Sequence, residues 1–175
     1  MNTTQDRKKK IIEKFKSVKD SFTINFVCSG NIIRSPYAQM LFEHKINKIP
    51  SLSKIRAESA AVTYKNSVIY PESEKALLEK GVDEKKISSF RPRFYLDYPE
   101  IFSQADLILV MTHKHIPRIP EKYREKTFLL RDFALGKAEN IPDPFFDPPF
   151  DRAYDMIDEA LDGLVEFFLD EKLRT

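Results

Sequence analysis

The sequence has little of several residue types that mark whole classes of protein. Its 175 residues include one cysteine, no tryptophan and four glycines. A single cysteine excludes a disulfide within the chain, which fits a reducing compartment. No apolar run approaches the ~20 residues that a membrane-spanning helix needs, and the lysine-rich N-terminus lacks the apolar core of a secretory signal. We therefore expect a cytoplasmic protein.

The sequence also lacks a large excess of either sign of charge, because 29 Lys and Arg against 27 Asp and Glu leave a net charge of +2. This balance gives no argument for a nucleic-acid partner. The 14 phenylalanines and a hydrophobic fraction of 42% are enough for the core of one globular domain. His44, His113 and His115 have no metal-ligand spacing with the cysteine. We expect these histidines on the surface or on helix faces, and we expect no metal or other cofactor.

The order of apolar runs predicts strands that alternate with helices. Thr23 to Val27 form a strand-like run, and Ser35 with Pro36 form a favourable helix start, since serine caps helices and proline fits their first position. Alternation of this kind indicates a parallel sheet with helices on both faces. Such sheets bind ligands at the carboxyl ends of their strands, which is where Cys28 lies. Further strands are expected at 55–60, in DLILVM and in TFLL, and further helices in PESEKALLEKG, YPEIFSQA and 151–169.

Residues 1–21 form a basic extension before the predicted domain at 22–175. Within it, Ile11, Ile12 and Phe15 follow a helical spacing. We expect a short helix that packs on the domain and keeps its lysines in water. The alternative is a helix that contacts an anionic membrane surface, which the short apolar stripe and the lack of tryptophan disfavour.

The segment from Cys28 to Ser35 combines features that bind an anion. A lone cysteine after a strand is usually a small buried hydrophobic residue, but Gly30 and Asn31 tolerate left-handed backbone and can turn N–H groups inward. The helix predicted after Ser35 adds its positive end. Arg34 can bind two oxygens of a phosphate. The same surroundings stabilise a thiolate, so the segment predicts a nucleophile beneath a bound phosphate. No Gly-Lys-Ser/Thr is present, which disfavours a nucleotide-type P-loop.

The stretch VCSGNIIRSPYAQ resembles the signature of the low-molecular-weight protein tyrosine phosphatases, V-C-x-G-N-x-C-R-S-P. ESAAV, EKGVDEKKISSFRPR, ADLILVM and IPDPFF occur in the order that this family shows, so the resemblance covers about residues 22–170. It implies a single-domain, three-layer α/β/α fold of the flavodoxin-like type. The sheet would have four parallel strands in the order 2-1-3-4, with the phosphate loop after strand 1.

The resemblance also implies roles for individual residues. Cys28 would be the nucleophile of a cysteinyl-phosphate mechanism and Arg34 the phosphate clamp. Asp143, held extended between Pro142 and Pro144, would be the general acid and base. From the residues alone, Asp143 is only one candidate among many acidic side chains. The expected substrate- and phosphate-binding residues are Ser29, Gly30, Asn31, Ile32, Ile33, Ser35, Tyr64, Phe145 and Phe146, with Asn31, Ser35 and Ser59 supporting the loop.

Three positions depart from the family pattern. Ile33 stands where a second loop cysteine is frequent, so we expect no protective disulfide on oxidation. Phe90 replaces a histidine that supports the loop asparagine in many members, and Thr112 replaces a frequent aspartate.

The main functional hypothesis is hydrolysis of phosphotyrosine in proteins, with inhibition by phosphate, vanadate and similar oxyanions. A monomer or weak homodimer is expected. The alternatives are a protein arginine phosphatase, a phosphatase of small aryl phosphates such as flavin mononucleotide, and a phosphotyrosine-binding module without turnover. Arginine phosphatases typically carry Thr where this chain has Ile32, and a bulky apolar residue suits an aromatic phosphate better than a phosphoguanidinium group. Arsenate reduction needs further cysteines and is disfavoured.

Overall fold

The computed structural model describes residues 2–174, and its centre is a four-stranded parallel sheet. The strand order β2-β1-β3-β4 confirms the fold predicted from the sequence. The strands are buried almost continuously, as expected where helices cover both faces of a parallel sheet. Their bounds are β1 Phe22–Cys28, β2 Ile55–Ala61, β3 Leu107–Val110 and β4 Thr127–Leu129.

The central strand β1 carries Cys28 to the edge of the sheet where ligands bind in such folds. Cys28 pairs in register with Ala61 at the end of β2, and Val27 pairs with Val110 at the end of β3. Three strands therefore end close to one another around the thiol. Parallel strands point their carboxyl ends to the same edge, and that edge holds the candidate site.

Helices cover the two faces of the sheet. Two hydrophobic clusters form the core, the larger against α2 and α7 and the smaller against α5. The helix α7 is longer than predicted, and it buries residues at spacings of three and four along one face, as an amphipathic helix does. The bounds are α1 Thr4–Ser17, α2 Arg34–Ile46, α3 Pro71–Glu79, α4 Glu84–Ser89, α5 Glu100–Ser103, α6 Leu130–Leu135 and α7 Phe150–Leu173, with 3-10 turns at Pro50–Leu52, His113–Arg118 and Glu121–Lys126.

The N-terminal helix α1 packs into the larger cluster. Thr3 and Asp6 form a capping box that fixes its start. Its Phe15 is buried, with ring centroids 5.4 Å from Phe22 and 4.8 Å from Phe168. Aromatic pairs at these separations contribute beyond their buried area. The helix thereby joins the start of the sheet to the last helix.

Within residues 2–174, every helix is too short or too polar to cross a bilayer.

Candidate active site

The candidate site begins at the end of β1, where Cys28 is 2% exposed. The next five residues form a loop that leads into α2, and Ser35 of that helix returns to the cysteine. The Sγ atom of Cys28 and the Oγ atom of Ser35 lie 2.9 Å apart. A hydroxyl at this distance can donate a hydrogen bond to a thiolate.

The loop is held by Asn31, whose side chain is fully buried and whose backbone is left-handed with φ of 54°. Its amide donates to Ser35 Oγ at 2.7 Å and to Ser59 Oγ at 2.9 Å, and its Oδ1 accepts from the backbone N–H of Arg93 at 2.9 Å. Asparagine adopts the left-handed region more readily than most residues. With Phe90 in place of a supporting histidine, Asn31 is satisfied by Ser59 and the Arg93 backbone.

The prediction that Ser35 caps the following helix is wrong. The helix α2 starts at Arg34, one position before Ser35, and its cap residue Ile33 makes no side-chain hydrogen bond to the helix. The Ser35 hydroxyl contacts Asn31 and Cys28 instead, because serine side chains choose among several local partners. The first turn of α2 therefore lacks a side-chain cap.

Arg34 is a buried arginine, 3% exposed, that joins the loop to the segment around residue 143. Its Nη1 donates to the carbonyl of Ile141 at 3.0 Å. Its Nη2 lies 3.5 Å from Ser29 Oγ and 3.4 Å from Asp143 Oδ2, the latter an ion pair. These contacts fix the orientation of the guanidinium.

Asp143 is oriented by its own turn. Its Oδ1 accepts the backbone N–H of Phe145 at 3.1 Å, and its carbonyl accepts that of Phe146 at 3.1 Å. Such side-chain turns are typical of aspartate. The turn places the carboxylate beside Arg34 and directs the two phenylalanines to the mouth of the site.

These groups line a cavity of about 340 Å³ above Cys28. Tyr64 and Phe146 form exposed walls, 57% and 72% exposed. Tyr70 was missed by sequence reasoning. Its ring lies 6.3 Å from that of Phe145 in an edge-to-face arrangement, and only the fold brings it there.

The cavity is lined by most of the predicted site residues, namely Cys28, Ser29, Gly30, Ile32, Ile33, Arg34, Tyr64, Asp143, Phe145 and Phe146. The other three, Asn31, Ser35 and Ser59, are buried outside its lining.

Backbone contacts join the walls to the loop. The N–H of Tyr64 donates to the carbonyl of Ser29 at 2.9 Å, and the N–H of Tyr70 donates to that of Ile32 at 3.0 Å. The Asn66 amide donates to the carbonyl of Gly30 at 3.1 Å. A methyl group on Gly30 would lie 2.7 Å from that amide nitrogen, so the Asn66 side chain would have to shift to admit it.

The expectation of a surface position is wrong for His115, which is 3% exposed. Its Nδ1 accepts the backbone N–H of Thr112 at 3.2 Å, so the proton of the neutral ring lies on Nε2, 2.9 Å from Ser29 Oγ. Burial and the charges of Arg34 and Arg118 lower the pKa of His115 to about 3. The histidine is thus a neutral donor that fixes the Ser29 hydroxyl. A 3-10 turn after β3 brings it there, and the sequence pattern gave no signal of it.

Among residues 2–174, His, Cys, Asp and Glu side chains form no group of three that could hold a metal ion.

The fold is that of an α/β protein with its candidate site at the end of the first strand. A thiol, a loop that leads to an uncapped helix start and a buried arginine meet there, and this arrangement is suited to binding an anion. Residues 23–174 match the family described as low molecular weight phosphotyrosine protein phosphatase. The chain belongs to this family, and the resemblance read from VCSGNIIRSPYAQ is confirmed.

The names of individual relatives give two different substrates, phosphoarginine and phosphotyrosine in proteins. A protein-arginine-phosphatase of Bacillus subtilis (strain 168) is 35% identical over 126 residues, which are 70% of this chain and 79% of that protein. A probable low molecular weight protein-tyrosine-phosphatase, EpsP of Ralstonia nicotianae, is 33% identical over 147 residues, 82% and 93% of the two chains. The solved YwlE arginine phosphatase from Geobacillus stearothermophilus superposes with a TM-score of 0.71 at 30% identity, covering 87% of this chain and 96% of that one. The chain is thus a phosphatase whose relatives act on different phosphorylated residues.

Proposed function

We propose that this chain is a protein phosphatase that works through a phosphorylated cysteine. The observation that carries the proposal is the buried thiol of Cys28 at the base of a cavity that also holds Arg34 and Asp143. In the first step Sγ bonds to phosphorus as the bond from phosphorus to the leaving atom breaks, and Asp143 gives that atom a proton. In the second step water attacks phosphorus and gives a proton to Asp143, and the S–P bond breaks. Phosphate is released, and sulfur keeps the electron pair of the broken bond, which regenerates the Cys28 thiolate.

The loop residues have supporting roles in this proposal. Backbone N–H groups from Ser29 to Ser35 and the fork of Arg34 would hold the phosphoryl oxygens. The Ser35 hydroxyl, 2.9 Å from Sγ, would stabilise the thiolate both at rest and as a leaving group. Asn31, with Ser59, keeps the Ser35 hydroxyl in place. Inorganic phosphate and vanadate would compete for the same loop.

The cavity geometry favours an aromatic phosphate. Ile32, Tyr64, Tyr70 and two phenylalanines surround its mouth, and such walls stack well on a phenyl ring. Among the described lining residues Asp143 is the one carboxylate, and Arg34 already lies 3.4 Å from it. The guanidinium of a phosphoarginine would therefore have to compete with Arg34 for the Asp143 carboxylate. On this ground we infer that phosphotyrosine in proteins is the substrate, and small aryl phosphates would also fit.

The second candidate substrate is phosphoarginine in proteins. The relative at 35% identity and the structure at 30% identity described above are both named arginine phosphatases. These comparisons support phosphoarginine better than phosphotyrosine, whereas Ile32 and the aromatic walls support phosphotyrosine. A binding module without turnover remains the candidate from another class.

The test is steady-state hydrolysis of two peptides that differ only in carrying phosphotyrosine or phosphoarginine. We expect faster turnover of the phosphotyrosine peptide, and Ile32→Thr should shift the ratio towards phosphoarginine. Cys28→Ser should abolish turnover of both peptides while inorganic phosphate still binds. Asp143→Asn should reduce phosphotyrosine turnover by about 10²- to 10⁴-fold.

The control is Asp155→Asn, because Asp155 is an exposed carboxylate on α7 that does not line the cavity. A higher kcat/KM on the phosphoarginine peptide would select the second candidate. Turnover that survives Cys28→Ser would refute the cysteinyl-phosphate mechanism. Binding of phosphopeptide by the wild type without any turnover would identify a binding module.

A further inference from the structure

A second groove, with a volume of about 420 Å³, adjoins the cavity above Cys28. The two share part of their lining, namely Ser29, Arg34, Tyr64, Asp143 and Phe146. A substrate peptide that is bound with its phosphorylated side chain over Cys28 therefore has its neighbouring residues next to this second groove. We call it the basic groove, because Lys114 and Arg118 of the turn after β3 also line it.

Lys114 and Arg118 are the source of its charge. Both are exposed, and neither takes part in an ion pair among residues 2–174. The two carboxylates in the lining are already engaged, Asp143 with Arg34 at 3.4 Å and Asp147 with Arg152 at 2.6 Å. The groove therefore has a positive charge that no described carboxylate neutralises.

The histidine in the lining of the groove, His115, is held neutral. Both ring nitrogens are within hydrogen-bond distance of Thr112 or Ser29, and burial, together with the charges of Arg34 and Arg118, lowers the pKa of His115 to about 3. The attraction for an anion therefore comes from side chains that reach into solvent. Exposed cations of this kind contact flexible, solvated partners, and they do not form a closed phosphate site.

We propose that the basic groove binds an aspartate or glutamate side chain of the substrate protein, close in sequence to the phosphorylated residue. The proposal rests on the proposed phosphatase function and deepens it, since it names a feature that distinguishes substrates. Continuity with the cavity gives the position, and the two unpaired cations give the charge complementarity. An extended peptide advances by about 3.3 Å per residue, so a neighbouring side chain enters an adjoining groove without a bend in the peptide.

The experiment compares phosphopeptides that differ only in the residues flanking the phosphorylated one, with Glu, Ala or Lys on both sides. The wild type should turn over the Glu peptide about 3- to 10-fold more efficiently than the Ala peptide, and the Lys peptide less efficiently than both, as expected for two exposed charge contacts. Raising the salt from about 0.05 M to about 0.5 M should remove most of this preference. The double variant Lys114→Ala/Arg118→Ala should bring the Glu-to-Ala ratio close to one.

The matched control is Lys75→Ala, which removes an exposed cation of α3 outside both the cavity and the groove. It should keep the wild-type ratio. An equal rate on Glu and Ala peptides, or a preference that persists in the double variant, would overturn the proposal.

Binding of the same peptides to Cys28→Ser measures the preference of the groove without turnover. A wild type that binds but does not hydrolyse the peptides would therefore count against the catalytic proposal and not against the groove. A second phosphate on a neighbouring residue that improved turnover while Glu did not would also contradict the proposal.

Discussion

The substitution Asn31→Ala tests how the candidate site is held together. Asn31 makes three hydrogen bonds at 2.7–2.9 Å, two buried ones to Ser35 and Ser59 and a partly buried one from the backbone of Arg93. Each contributes about 0.5–1.5 kcal/mol net. Alanine would also have to adopt φ of 54°, which costs roughly 1–2 kcal/mol. Together these effects predict a loss of about 2.5–6.5 kcal/mol in the free energy of unfolding.

Two further variants separate the two contributions. Asn31→Gly removes the hydrogen bonds but tolerates the left-handed backbone, so it should be more stable than Asn31→Ala by about 1 kcal/mol. Asn31→Asp keeps the acceptor for the Arg93 N–H and the tolerance of left-handed backbone, but it loses the donor to Ser35 and Ser59. Because the position is fully buried, its carboxylate also loses its hydration, so this variant should be at least as unstable as Asn31→Ala.

Urea unfolding of the four proteins gives the free energies directly, provided that the dependence on urea is unchanged. In a chain of this length each kcal/mol also lowers Tm by roughly 2–4 °C, so Asn31→Ala should melt on the order of 10 °C lower. Equal stability of the Ala and Gly variants would refute the backbone argument. A loss below about 0.5 kcal/mol in Asn31→Gly would refute the hydrogen-bond argument.

The remaining predictions concern oxidation, pH and a buried tyrosine. Without a second cysteine, peroxide should inactivate the enzyme through Cys28 beyond recovery by thiols, and full recovery after strong treatment would contradict this. Because the pKa of His115 is about 3 when folded and about 6.5 when unfolded, the unfolded state binds more protons, and stability should fall as pH falls from about 6.5 towards 3. His115→Gln, which keeps a donor to Ser29, should reduce that slope; a stability difference from wild type that is constant between pH 7 and 5 would refute the assignment. Tyr37→Phe removes a 2.6 Å bond to Asp158 and should cost about 1 kcal/mol in urea unfolding, whereas an unchanged midpoint would show that the bond contributes nothing.

The sequence was most informative where the determinants are local. The run before Cys28, the Gly30-Asn31 pair and Arg34 lie within a few residues of one another, so their chemistry could be read as one unit. The sheet followed because apolar runs alternate with amphipathic ones. The strand order came with the family signature and not from periodicity.

What the sequence could not give depends on contacts between distant segments. Tyr70 and His115 reach the site from separate turns, and neither lies in a pattern that indicates a site. Ser35 was misread as a cap because the Ser-Pro pair is a common helix start, whereas Asn31 and Cys28 compete for its hydroxyl. The substrate is also beyond local patterns, since Ile32 and the relatives favour different phosphorylated residues.

The position of α1 has a practical consequence for preparing the protein. Sequence similarity to the family begins at residue 23, so a chain trimmed to that boundary would lose Phe15 and Phe22. Phe168 at the far end would then lack two of its aromatic neighbours. Newly exposed aromatic surface promotes association, so we expect the trimmed protein to express poorly and precipitate. The hydrophobic core therefore extends to residues that precede the part of the chain that matches the family.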